Sequence, residues 1–177
     1  MSDDDWKTSA PYSIGGPPDG ATVYWTGSCH CGRIEYSLTR DKPLQSKYCH
    51  CSDCRVLHGA PFQWAAIFHK SDIHFTHGAQ GLGWYHTSTK SPEHHLPCKV
   101  YCAFCRTPIM DEGRNMVLLF PTLINGLDER AREAFKPQSH LFYPQRVVDF
   151  AGDGVTKWSG LNDQSDELGE DGRPKGA

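Results

Sequence analysis

The sequence predicts a mainly β fold. Two observations carry that expectation: short segments of strand length that are alternating or wholly apolar, and a single stretch of helix-forming composition. At 177 residues the chain suits one domain, which at that size buries roughly two thirds of the surface its unfolded form exposes.

The elements follow in chain order. Residues 1–20 start with Asp3, Asp4 and Asp5 and run into "SIGGPPDG", a mix of charge, Gly and Pro that predicts a flexible leader. "RIEYSL" sets Ile34, Tyr36 and Leu38 against Arg33, Glu35 and Ser37, the two-residue period of a half-buried strand. "WAAIF" (64–68) and "DIHFTH" (72–77) predict two more strands. "MVLLF" (116–120) is continuously apolar and closed by Pro121, which predicts a central strand. "DERAREAF" (128–135) opens on acidic residues and stops before Pro137, as a helix does. "RVVDF" (146–150) predicts a fifth strand, with Trp158 anchoring the segment behind it. Residues 162–177 are acidic and almost without apolar side chains, which predicts a disordered tail and leaves 21–161 as the working domain.

Composition narrows the function. A net charge of -3 and a pI near 6.3 give no basic field for phosphate backbones, so no nucleic-acid partner is expected. No run of 18 apolar residues exists, and "MSDDDWKTSA" lacks the basic start and apolar centre of a secretory signal. The expectation is a soluble cytoplasmic protein with no membrane partner. A reducing compartment keeps thiols free for metal, in line with the close spacing of the cysteines.

Seven of the eight cysteines form three clusters. Cys29 and Cys31 stand two apart, so in extended chain both project to one face while His30 points away, and Gly32 permits the turn behind them. Cys102 and Cys105 have the C-x-x-C spacing of a zinc knuckle, and the two pairs together complete a closed, structural four-cysteine site. Cys49, Cys51 and Cys54 have no obvious fourth partner, which is the ligand count of a catalytic zinc with one position left for water or substrate. Cys98, His50 or His58 would close that site in the competing reading. Three thiolates on a divalent ion leave a net charge of -1, which favours a soft guest such as a substrate thiol.

Other side chains near the middle cluster have two readings each. Arg55 suits a substrate carboxylate or an ordinary surface salt bridge. His58 is the histidine best placed for acid or base work, and Asp53 reads as a turn residue. Phe62 and Trp64 suit either a pocket wall or the core, with Trp64 assigned to the core, and His94 and His95 to an exposed loop.

With these motifs in place, "GSCHCGRIEYSL", "CHCSDCRVLHGAPF" followed by Trp64, and "YCAFCRTPI", the sequence resembles the glutathione-dependent formaldehyde-activating family, which includes centromere protein V. The resemblance spans about residues 24 to 160. It implies antiparallel sheets pinned by zinc, of the β-tent type, and two zinc ions per chain: one structural on Cys29, Cys31, Cys102 and Cys105, one catalytic on Cys49, Cys51 and Cys54. The implied activity is that of a carbon-sulfur lyase joining glutathione to formaldehyde. Other outcomes compatible with the family are a zinc lyase or hydrolase for another metabolite, or a non-catalytic interaction module. Two departures stand out: Arg106 replaces the Gly of the family's C-x-x-C-G, and Cys98 is an extra cysteine, either an alternative ligand or a redox-sensitive thiol.

Overall fold

The computed structural model describes Asp5 and residues 9–175. The first part of the chain comprises strands β1 (Trp25–Ser28), β2 (Glu35–Leu38) and β3 (Gln45–Cys49), helix α1 (Ser52–His58), and strands β4 (Gln63–His69), β5 (Ile73–His77) and β6 (Leu82–Tyr85). Then come β7 (Cys98–Cys102), β8 (Pro108–Glu112), β9 (Met116–Leu119) and α2 (Glu129–Ala134). The chain closes with β10 (Ser139–Leu141), β11 (Thr156–Trp158) and β12 (Glu167–Leu168). The protein is mainly β, as expected.

The strands make two sheets. The smaller is antiparallel, in the order β1-β2-β5, and the larger runs β12-β11-β10-β3-β4-β9-β8-β7-β6. Both share one core, in which Tyr36, Leu38 and Phe75 of the small sheet join Phe68, Met110, Val117 and Leu119 of the large one. Ile34, Tyr36 and Leu38 are buried as expected, but Ser37 between them is buried too, so the strand is not half-exposed by alternation. The apolar run 116–119 is an interior strand between β4 and β8.

Four expectations need correction. The large sheet is mixed, because β10 pairs parallel with both β3 and β11. Residues 146–150 form no strand: Val147 and Val148 are exposed, Arg146 pairs with Asp149, and only Phe150 turns inward onto His140 and Tyr48. In β11 the buried residue is Lys157 rather than Trp158, because Asp153 and Glu170 compensate its charge. The two termini are also packed where they are described. Tyr12 lies in the core against Phe75, and Leu168 is buried in β12, so residues of the expected leader and tail belong to the fold. Residues 1–4, 6–8 and 176–177 of those expectations lie outside the described residues.

Candidate functional site

The first cysteine group joins the two sheets. Cys29 and Cys31 sit in the turn from β1 to β2, where Gly32 takes φ 71° and closes the loop onto the Cys29 carbonyl. Cys102 ends β7 and Cys105 lies in the turn to β8. The Cys31 Sγ stands 3.4 Å from that of Cys29 and 3.9 Å from that of Cys102, and all four sulfurs lie within 4.8 Å of one another. A tetrahedron of sulfurs each about 2.3 Å from a zinc ion has edges of about 3.8 Å, so the group fits that ion. Backbone N–H groups of Ile34 and Cys105 donate to the sulfurs of Cys29 and Cys102.

The second group is built on α1. Cys49 ends β3, Cys51 caps the helix N-terminus by accepting from the Cys54 N–H, and Cys54 is the buried residue of the first turn. Cys54 and Cys49 sulfurs are 3.6 Å apart, and the three lie within 4.8 Å of one another, again the spacing of a zinc tripod. The thiols share protons: hydrogen bonds from Cys49 and Cys54 hold Cys51 far below the ordinary thiol range, while the same contacts push Cys49 and Cys54 up. A divalent ion takes the place of such shared protons.

None of the expected fourth ligands joins this group among the described residues. His50 turns away, as the extended-chain geometry requires. It is fully buried, and its Nε2 lies 2.8 Å from Nδ1 of His140, whose Nε2 lies 2.7 Å from Asp153. Cys98 groups instead with His94 and Glu112, and burial followed by the Glu112 charge pushes its thiol up to about 12, which leaves it unreactive as a nucleophile. His94 is half-buried rather than on an exposed loop, because Glu112 and the Tyr12 hydroxyl hold its ring.

One face of α1 carries Cys51, Cys54 and His58 at i, i+3 and i+7, and three adjoining cavities run along it. The first, of about 230 Å³, is lined by Cys51, Cys54, Lys99 and Asp111 among others. The second, of about 260 Å³, shares Lys99 and Asp111 with the first and reaches His58. The third, of about 420 Å³, shares His58 with the second and includes Phe62 and Trp64. Trp64 is therefore both a cavity wall and a partner of the core, where its indole N–H donates to Ser46 and to the Phe135 carbonyl. Arg55 lines none of the three. Its Nε donates to the His50 carbonyl at 3.0 Å, and Asp53 is exposed in the first helical turn.

Lys99 and Asp111 are the residues that sequence reasoning missed. They face each other across β7 and β8 and form a 2.7 Å ion pair, with Gln63 bonded to both. Burial works against the Lys99 charge, but Asp111 and then Cys54 overcome it and hold the ammonium above the ordinary lysine value. The second carboxylate oxygen of Asp111 is buried with no hydrogen-bond partner. The only signal in the sequence was a lysine alternating with inward residues in "CKVYC"; its pairing with Asp111 depends on a strand register that spacing does not show.

A family model described as "Glutathione-dependent formaldehyde-activating enzyme" matches residues 24–145, more than half of the chain. The chain belongs to this family. No curated protein matches it. A Rhodobacter sphaeroides protein of known crystal structure is similar at 24% identity and a TM-score of 0.47, over 59% of this chain and 92% of the other. In this member of the glutathione-dependent formaldehyde-activating family, Asp153, Lys157 and Glu170 lie beyond the matched residues, yet they continue the hydrogen-bond chain that starts at His50 in the ligand loop. No helix among the described residues is long and apolar enough to cross a membrane.

Proposed function

We propose that this protein is a zinc-dependent carbon-sulfur lyase that adds a thiol such as glutathione to a small carbonyl compound such as formaldehyde, or reverses that addition. The observation that carries this reading is a tripod of three thiols with no fourth protein ligand among the described residues, opening onto a cavity that holds a half-buried ion pair. Cys49, Cys51 and Cys54 hold the catalytic zinc; Cys29, Cys31, Cys102 and Cys105 hold the structural one. When bound, the catalytic ion supplies a position for a substrate sulfur and favours its thiolate form.

The chain's own residues do the rest. The thiol sulfur forms a bond to the carbonyl carbon, the π electron pair of the C=O bond moves to oxygen, and that oxygen takes up one proton in place of the one the thiol lost. Lys99 spends two of its three protons on Asp111 and Gln63, so one remains to stabilise the developing alkoxide. A proton passes from the Lys99 ammonium to the alkoxide and the Lys99–Asp111 pair recovers one from the thiol, so one proton leaves sulfur and one arrives on oxygen. His58, whose pKa burial lowers against the pull of Asp111, stays neutral at pH 7 and orients the substrate as a hydrogen-bonding wall. Arg55 braces the ligand loop through His50 instead of binding a substrate carboxylate.

X-ray absorption on the purified protein tests the reading. We expect two zinc ions per chain and an average sulfur count that rises when glutathione is added; four protein sulfurs around each ion, unchanged by the thiol, would refute it. Lys99→Met is expected to lower kcat for the thiol addition about 100-fold, the usual cost of losing one donor to a developing oxyanion.

A further inference from the structure

The cavity at the far end of α1 is larger than formaldehyde requires. Its volume of about 420 Å³ falls within the range of small-molecule sites and well exceeds the roughly 150 Å³ that suffices for benzene in an apolar protein cavity. Tyr48, Phe62, Trp64, Phe120 and Leu123 are among its lining residues, and no Lys, Arg, Asp or Glu lines it. The charges of the groove are confined to the two cavities nearer the thiols, at Asp53, Lys99, Arg106 and Asp111. Glutathione carries two carboxylates and an ammonium group, so nothing in it matches the aromatic end.

We propose that the carbonyl substrate carries an apolar, ring-bearing group that lies in this aromatic cavity while its carbonyl carbon sits beside the Cys49, Cys51 and Cys54 tripod. The inference rests on the lyase reading for the reaction, and on the cavity alone for the substrate class. The distance suits an elongated molecule: the seven residues from Cys51 to His58 rise about 10 Å along the helix. The carbonyl oxygen then lies by Lys99, His58 marks the crossing into the aromatic cavity, and the ring displaces water from an apolar wall. The reaction is unchanged: the S–C bond forms, the C=O π bond opens, and the thiol proton ends on oxygen.

The test separates binding from turnover. A naphthyl-substituted propanol, which lacks a reactive carbonyl, is titrated into the zinc-loaded protein by fluorescence. Saturable binding at one site is expected, weakened at least tenfold in Thr122→Trp, which places an indole at the exposed rim of the cavity without disturbing the core. Val23→Trp, an exposed position outside these cavities, is expected to bind as the parent does. The corresponding naphthyl propanal with glutathione is then compared with formaldehyde, and a kcat/KM at least tenfold higher is expected. No saturable binding, or binding equal in Thr122→Trp and the parent, overturns the inference even if formaldehyde is turned over. Saturable binding that Thr122→Trp weakens, with no turnover of either aldehyde, upholds the cavity as an apolar-ligand site and refutes the lyase reading. A kcat/KM for the naphthyl aldehyde at or below that for formaldehyde overturns its assignment to the carbonyl substrate.

Discussion

Arg106 holds φ at 65°, the left-handed conformation, directly after the last thiol of the structural group. The family pattern places Gly there, and a residue with a Cβ is strained by about 1–2 kcal/mol in that region. Its N–H donates to the Cys102 carbonyl, so the turn is kept and the strain is tolerated. Arg106→Gly is expected to stabilise the protein by about 1 kcal/mol after the entropy of the new glycine is subtracted, a rise of about 3 °C in Tm by calorimetry. Glu112 is a second residue whose surroundings decide its behaviour. Burial alone would raise its pKa, but hydrogen bonds from His94, Lys70 and Tyr12 hold it below the ordinary glutamate value. A depressed carboxylate contributes stability above its unfolded pKa and loses it as pH falls through the folded one. Glu112→Gln should therefore cost about 2–4 kcal/mol in urea denaturation at pH 7 and flatten the loss of stability below pH 4.5. An unchanged acid limb would show that the group is not ion-paired.

At the scale of elements, α1 is the helix that sequence reading missed. Its seven residues bury only Cys54 and expose Val56 and Leu57, so no apolar stripe announces a helix. What ends it is visible only in the fold: Cys51 as N-cap and Gly59 in the left-handed conformation. Strand β3 was missed for a related reason. "QSKYC" reads as polar, yet Ser46 and Lys47 are buried there because Phe135, Gln45 and Asn162 satisfy them. The C-terminal segment makes the strongest contrast. Its acidic composition predicted disorder, but Glu170 pairs with the buried Lys157, and Leu168 pairs in register with it. Deleting residues 162–177 is expected to destabilise the protein by about 3–6 kcal/mol, from one buried leucine and two lost charge-assisted hydrogen bonds, Lys157 to Glu170 and Lys47 to Asn162. A Tm equal to that of the full chain would restore the reading of a loose tail.

On the scale of the whole molecule, the four-cysteine group would tie the two sheets together once a zinc ion is bound. Its first pair belongs to the small sheet and its second to the far end of the large one, more than seventy residues later. Structural zinc contributes apparent binding energies of about 10 kcal/mol or more, comparable with the total stability of a domain. Prolonged chelation is therefore expected to lower Tm by well over 10 °C and to be reversed by adding zinc. Serine in place of Cys102 should reproduce most of the chelator's effect, whereas serine in place of Cys51 should remove one zinc ion and lower Tm by less, because that group joins neighbouring residues rather than the two sheets.

The sequence by itself determined the mainly β class, the family, the partition of seven cysteines into a group of four and a group of three, and the outward turn of His50. Spacing gives the two pairs and the triplet, because thiols two or three residues apart share a neighbourhood whatever the fold, and the four-ligand demand of a closed zinc site joins the two pairs. Only the tertiary structure decided the rest. Lys99, Asp111 and Gln63 meet through strand register, His50 reaches Asp153 through a parallel pairing of β10 with β3, and the aromatic cavity gathers side chains from α1, β3, β4, β8 and the turn after β9. Each of these juxtapositions joins residues far apart in the chain. Local spacing carries no information about such pairs, and burial, register and charge compensation fix them together when the sheets close on one core.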